Sequence, residues 1–296
     1  MVGPTNFKNK TSELKIVHRL ALVFSLVCIF GCSPVMVRPS PEGRPDLQGI
    51  PASDLIAALR VSQADLRSLD ALGKISVSTP ENRLRASQVV LVQAPDAFRI
   101  EVLAPFGISY VVAADGESLA TLSTQDNVLY RGRPDQQTIA EVIGIALAPR
   151  DMTSLLLGRP PVKADELASL WTSNPPANDT PAKTGAPAVF LHAGDGEDAS
   201  VVIGFTKLQA DRHEQIIPVS FQRIARNGQK LLQARFEDFL LVEEVLVPRR
   251  IRLQTLSTDA VVEYRELTPN KLMPPSMFQI ATPPGTREIQ LLPTTP

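Results

Sequence analysis

Two cysteines, three histidines and one pair of adjacent glutamates are the residues whose types invite chemistry. His18 lies near the N-terminus, ahead of an apolar run. His192 and His213 sit in polar stretches, Leu191-His192-Ala193-Gly194-Asp195 and Asp211-Arg212-His213-Glu214. His213-Glu214 lacks the second histidine that a zinc-protease helix carries. The acidic stretch from Gly194 to Asp198 reads as a polar hairpin turn, because a calcium loop needs more ligands at fixed spacing. Glu243 and Glu244, placed on a strand, would point to opposite faces and make a poor acid–base pair. No glycine-rich phosphate loop occurs, and no serine sits in a nucleophile elbow. No metal, cofactor or catalytic residue is therefore expected, and a hydrolase is the weakest reading.

Cys32 remains. Lys8, Lys10, Lys15 and Arg19 precede an apolar run from Leu20 to Phe30, too short for the ~20 residues a membrane-spanning helix needs. Basic segment, short apolar segment and the small Gly31 describe a secretory signal over residues 1–31. Cys32 stands directly behind the cut. Ile29-Phe30-Gly31-Cys32 resembles the lipobox of bacterial lipoproteins. That resemblance implies that Cys32 is diacylated, then N-acylated, as the first mature residue. The other reading is an ordinary signal with an incidental cysteine. Cys28 lies inside the signal, so the folded domain would carry no thiol. Disulfides, thiolate metal sites and cysteine nucleophiles are excluded together.

The elements that would carry such a site follow. Hydrophobic residues make up 44% and charged residues 21%, ordinary for a globular chain. A net charge of −1 offers no basic field for nucleic acid. Pro34, Pro39, Pro41, Pro45 and Pro51 mark residues 32–51 as an extended tether. A folded domain over 52–296 follows, broken by a loop near 172–187 that is disordered by composition.

Ser53 can cap a helix whose face carries Leu55, Ile56, Leu59, Leu66 and Leu69, ending at Gly73. From Lys74 the period changes to two. Strands are expected at Leu84 to Gln93, Phe98 to Ala104, Ile108 to Val112, Ser118 to Gln125 and Val128 to Arg131. Two short helices interrupt, Thr138 to Leu147 and Asp151 to Leu157, separated by Pro149. Neither is stable alone, so both must lie against the sheet. Strands resume at Ala188 and include Val201 to Phe205, Ile216 to Ile224, Leu231 to Phe239, Ile251 to Thr255 and Val261 to Leu267, with a last one at Phe278 to Ala281. The fold class is mainly β with some α. So long an antiparallel sheet must curl, into a half-barrel with a helical plug or a closed barrel.

From Leu66 to Pro161 the pattern is more specific. Ala104-Pro105-Phe106-Gly107, an alternating strand, Tyr130, Ile139 to Gly144, and Met152 to Gly158 closed by Pro160 are similar to LolB, the outer-membrane receptors of the LolA/LolB superfamily. Val247-Pro248-Arg249-Arg250-Ile251 and Phe278-Gln279-Ile280 resemble the wider superfamily. The resemblance implies a curved, incomplete antiparallel β-barrel with a helical lid over an apolar cavity that receives acyl chains. It implies a membrane-insertion loop of Pro105, Phe106 and Gly107; alternatively Phe106 folds into the core. The implied cavity lining is Phe98, Ile100, Val102, Tyr110 and Val112 on the sheet, with Ile139, Val142, Ile143, Leu155 and Leu156 on the lid. The implied partners are membrane lipid through acylated Cys32, a periplasmic lipoprotein carrier and lipoprotein cargo. The implied place is the periplasmic side of the outer membrane, as a monomer. Ser33 fits, since many lipoproteins kept at the inner membrane carry aspartate there. A non-catalytic assembly adaptor with a filled cavity is the alternative.

Overall fold

The computed structural model describes residues 35–36, 47–174, 186–195, 199–210 and 213–291, with backbone alone for Val35, Met36, Asp195, Ala210 and His213. Cys32, the expected signal, most of the expected tether and the middle of the expected 172–187 loop lie outside the described residues.

Helix α1, Ala52–Asp65, buries Leu55, Ile56 and Leu59. Its N-cap is Pro51 rather than Ser53, whose hydroxyl instead donates to the Asp54 carboxylate. The helix stops at Asp65, not near Gly73, and Leu66 is already extended. Leu69 therefore belongs to strand β2, Ser68–Ser78. Leu66 and Leu69 fit a helical spacing and the entry to a strand equally well. Inward alternation of Leu69, Ala71, Gly73, Ile75 and Val77 decides for the strand. Gly73 is required inside it, because a Cβ there would lie 2.2 Å from the carbonyl oxygen of Glu263 on the neighbouring strand.

A meander follows: β3 (Arg83–Gln93), β4 (Ala97–Ala104), β5 (Gly107–Asp115), β6 (Leu119–Ser123) and β7 (Val128–Gly132). Two helices come next, α2 (Gln136–Ile143) and α3 (Pro149–Leu156). Asp135 caps α2, accepting from the Thr138 amide at 2.9 Å, and the left-handed Gly144 ends it, earlier than the expected Leu147. Pro149 opens α3 rather than standing between helices; its missing N–H costs nothing in a first turn.

A second meander runs β8 (Ala168–Ser173), β9 (Val189–Asp195), β10 (Ala199–Ala210), β11 (His213–Ala225), β12 (Lys230–Val242), β13 (Val245–Thr255) and β14 (Asp259–Pro269). The expected loop thus begins later than 172, since Thr172 and Ser173 pair with Leu191 and Phe190. Glu243 and Glu244 form the β12–β13 turn, both at positive φ, as a two-residue hairpin requires; they are not on a strand. β14 pairs with β2 and joins the two meanders into one sheet. The strand order is β15-β7-β6-β5-β4-β3-β2-β14-β13-β12-β11-β10-β9-β8. Its two outermost strands do not pair with each other among the described residues. The architecture is mainly β with α: one curved, unclosed sheet with helices against it.

Three features depart from expectation. The final strand is β15, Arg287–Gln290, parallel to β7, not Phe278 to Ala281. Phe278 ends a short 3-10 turn, Pro275–Phe278, and is buried beside Leu91 and Met273. The segment crosses the sheet's other face, and arginines satisfy its carbonyls in place of a strand: Arg99 donates to Gln279 at 3.0 Å and Arg131 to Ile280 at 2.7 Å. Finally, the folded body begins before residue 52. Strand β1, Val35–Met36, pairs with Leu241 and Leu240 of β12, and Leu47 is buried in the core.

Candidate functional site under the two helices

The concave face is built by alternation. In β2 to β5 one parity of each strand points inward, and its burial falls steadily along the strands. Phe98 is buried, Ile100 and Val102 half-buried. Ala114 and Val112 are buried and Tyr110 half-buried; beyond Tyr110 a bulge shifts the register, so that Ile108 pairs with Leu103. Val92, Val90 and Gln88 are buried, Ala86 half-buried, Leu84 exposed. Leu69 and Ala71 are buried, whereas Ile75 and Val77 are half-buried. Helix α3 packs over β3 and β4, and helix α2 runs from beside Gly132, against which Thr138 lies, to Thr258, which meets Gly144. The open end is the one that carries the β4–β5 hairpin.

The expected lining residues come together. Phe98, Val112, Ile139, Leu155 and Leu156 belong to one apolar cluster, with Ile100, Tyr110, Val142 and Ile143 packed against it. Val102 stands half-buried toward the open end. Side chains occupy this interior: Phe98 and Ile139 have no solvent exposure at all.

The two helices are held differently. Helix α3 buries Met152, Thr153, Leu155 and Leu156. The Tyr264 hydroxyl donates to the Leu156 carbonyl at 2.8 Å. Arg223 bridges to Asp151 at 2.9 Å and donates to the Pro161 carbonyl at 3.1 Å. Helix α2 buries only Thr138 and Ile139. Its C-terminal end is held by Tyr110 donating to the Val142 carbonyl at 3.2 Å and Thr258 donating to the Gly144 carbonyl at 3.4 Å. Burial pushes the Tyr110 phenol up from its ordinary range, so it remains a neutral donor.

Arg159 follows α3 and is buried. It donates to the carbonyls of Gln63 and Leu66 at 2.6 and 2.9 Å, the negative end of the α1 dipole. Burial pulls its pKa down to about 10. Beside it lies a cavity of about 30 Å³ lined by Ser62, Leu66, Phe239 and others, about the size of one water. A larger groove of about 750 Å³, lined by Arg67, Gln93, Asn270 and Lys271 among others, opens at the end of the sheet opposite Phe106. Neither was marked by a sequence signal, because their walls come from segments far apart in the chain.

Pro105 and Phe106 are the two turn residues between the paired Ala104 and Gly107. Phe106 is fully exposed, and Ile108 is exposed beside it. Gly107 adopts φ +128°, which suits glycine. From Val102 to Ala114 no residue is charged. Sequence reasoning missed two companions, Leu84 and Leu256, both exposed. The pairings Ser78↔Arg83 and Asp259↔Ser78 put them at the same end of the sheet as Phe106. The histidine expected to be inert has a defined setting: His192 stacks on Trp171 at 3.6 Å and shares a hydrogen bond with Ser173 at 2.8 Å. Among the described residues no group of three or more His, Cys, Asp or Glu could hold a metal. Also among them, no helix is long and apolar enough to cross a membrane.

No family model matches the chain, and no curated protein matches it. Solved structures do. One is a DUF1329 family protein from Desulfovibrio piger ATCC 29098, at 10% identity and a TM-score of 0.52, covering 77% of this chain and 95% of that one. Another is an outer membrane lipoprotein-sorting protein domain from Vibrio parahaemolyticus, at 8% identity and a TM-score of 0.51, covering 77% and 97%. The chain has the fold of these two proteins. A LolA superfamily protein from Nitrosomonas europaea also aligns, at 12% identity and a TM-score of 0.47, covering 77% and 97%.

Proposed function

We propose that this chain is a lipid-anchored envelope protein that binds the acyl chains of lipoproteins on its concave face and helps insert them in the outer membrane. One observation carries the reading: an uncharged hairpin with a fully exposed phenylalanine at its tip adjoins the half-open end of an apolar face. Such a tip enters a bilayer, or a partner's acyl chains, without burying a charge. Each methylene transferred onto the concave face contributes about 0.8 kcal/mol. Cys32, acylated, would hold the protein at the periplasmic side of that membrane. A periplasmic carrier would deliver the cargo, and the chain would act as a monomer. The lipoprotein-sorting domain of similar fold supports this reading in kind.

Native mass spectrometry of the gently extracted protein with a diacylated lipopeptide tests it. A one-to-one adduct is expected, as is accumulation of other lipoproteins away from the outer membrane on depletion. A second reading, a non-catalytic assembly adaptor, is favoured by the side chains that already occupy the interior. Absence of any lipid adduct and normal lipoprotein fractionation would support it instead.

A further inference from the structure

Among the described residues one side-chain amide is fully buried, and it lies on the concave face. Gln88 lies on β3 with the inward parity of Val90 and Val92, directly across from Gly73 on β2 and Val102 on β4. Ile75 and Ile100 are the diagonal neighbours on the same face, opposite Ala86 and Val90. Gln88 is 1% exposed, and among the described residues neither its Nε2 nor its Oε1 has a hydrogen-bond partner. Helix α3 packs over β3 and β4 and brings a second such group, the fully buried Thr153 hydroxyl. A buried amide in a folded core is normally paired by the protein, and an apolar residue of the same shape would be more stable there. An arrangement that sacrifices stability at one spot of a binding face points to a ligand group that completes it.

We infer that Gln88 is a binding residue for the ester or amide group at the head of an acyl chain, so that the ligands of this face are acyl-linked lipids rather than bare hydrocarbon. The inference rests on the acyl-binding reading and specifies its ligand. A bare alkyl chain offers Gln88 nothing. An ester carbonyl accepts from Nε2, and an N-acyl amide also donates to Oε1. The position suits this, at the point where full burial gives way to the half-open end, so the hydrocarbon lies inward and the head group toward the mouth.

The test compares the full chain's affinity for a diacyl, ester-linked lipopeptide with that for its dialkyl ether analogue of equal length. The wild-type protein is expected to bind the ester about fivefold more tightly, the worth of one hydrogen bond. Gln88→Met should bind both equally and melt about 2–4 °C higher. Equal binding of ester and ether by the wild-type protein overturns the inference, and this measurement needs no variant to fold. An ester preference retained in Gln88→Met, or a lower melting temperature for it, overturns the inference as well. Failure of the wild-type protein to bind either lipopeptide sinks the acyl-binding reading itself, a different result from binding without discrimination.

Discussion

The hydroxyl of Tyr264 donates to the carbonyl of Leu156 across 2.8 Å, tying strand β14 to the end of helix α3. Tyr264 is fully buried, and burial raises its pKa far enough that it remains a neutral donor. Removing that hydroxyl strands the Leu156 carbonyl, which costs about 1–2 kcal/mol. Tyr264→Phe should therefore lower the melting temperature by about 4 °C. An unchanged melting curve would show that α3 is held by apolar packing alone.

Helix α2 has a weaker hold. Tyr110→Phe combined with Thr258→Val removes two side-chain hydrogen bonds to its C-terminal end. Amide hydrogen exchange over 136–143 should accelerate by about tenfold, while α3 stays protected. Equal acceleration in both helices would mean that they open as one unit.

The cap of α2 titrates. The Thr138 amide hydrogen bond holds the Asp135 carboxyl below its ordinary value, which is about 3.9. A carboxyl lowered in the folded state contributes stability that is fully present above that ordinary value and is lost as pH falls through the folded one. Exchange of the α2 amides, corrected for its intrinsic pH dependence, should rise once pH falls below the ordinary carboxyl value of about 3.9. In Asp135→Asn, which caps without a charge, this rise should vanish. If the variant follows the wild-type curve, another group governs the helix.

Phe106 is fully exposed, so Phe106→Asp should leave the melting temperature within about 1 °C. It should slow delivery of a bound lipopeptide to vesicles by about tenfold or more, because a charge at the tip opposes entry into lipid. Normal delivery by the variant would remove the loop from the mechanism.

Gly73 faces the Glu263 carbonyl so closely that a methyl group cannot fit. Gly73→Ala should destabilise by about 3 kcal/mol, at the upper end of overpacking effects, through loss of the β2–β14 seam. Urea denaturation checks this, and a cost under about 1 kcal/mol would imply that the seam is pliable.

Much of the first meander was legible in the chain, since strands half-covered on one face alternate strictly. Phe98, Ile100 and Val102 could be put on one face from spacing alone, as could Tyr110 and Val112. The boundary at Leu66 was not legible, because Leu66 and Leu69 satisfy both periods. Phe278 was misread for a related reason. A segment that anchors every second residue on a sheet's surface alternates like a strand, and only Arg99 and Arg131 reveal that its carbonyls are met from elsewhere.

The sequence by itself determined which residues prefer to be buried, where turns fall, and that Phe106 sits between Pro105 and Gly107 in an uncharged stretch. Those are local properties of side-chain polarity and backbone freedom. Only the tertiary structure decided that β14 closes onto β2, and that α3 is pinned while α2 is lightly held. It alone put Leu84 and Leu256 at the same end of the sheet as Phe106 and left Gln88 without a hydrogen-bond partner among the described residues. Each of these depends on groups distant in the chain meeting across the sheet, and neither composition nor periodicity encodes that.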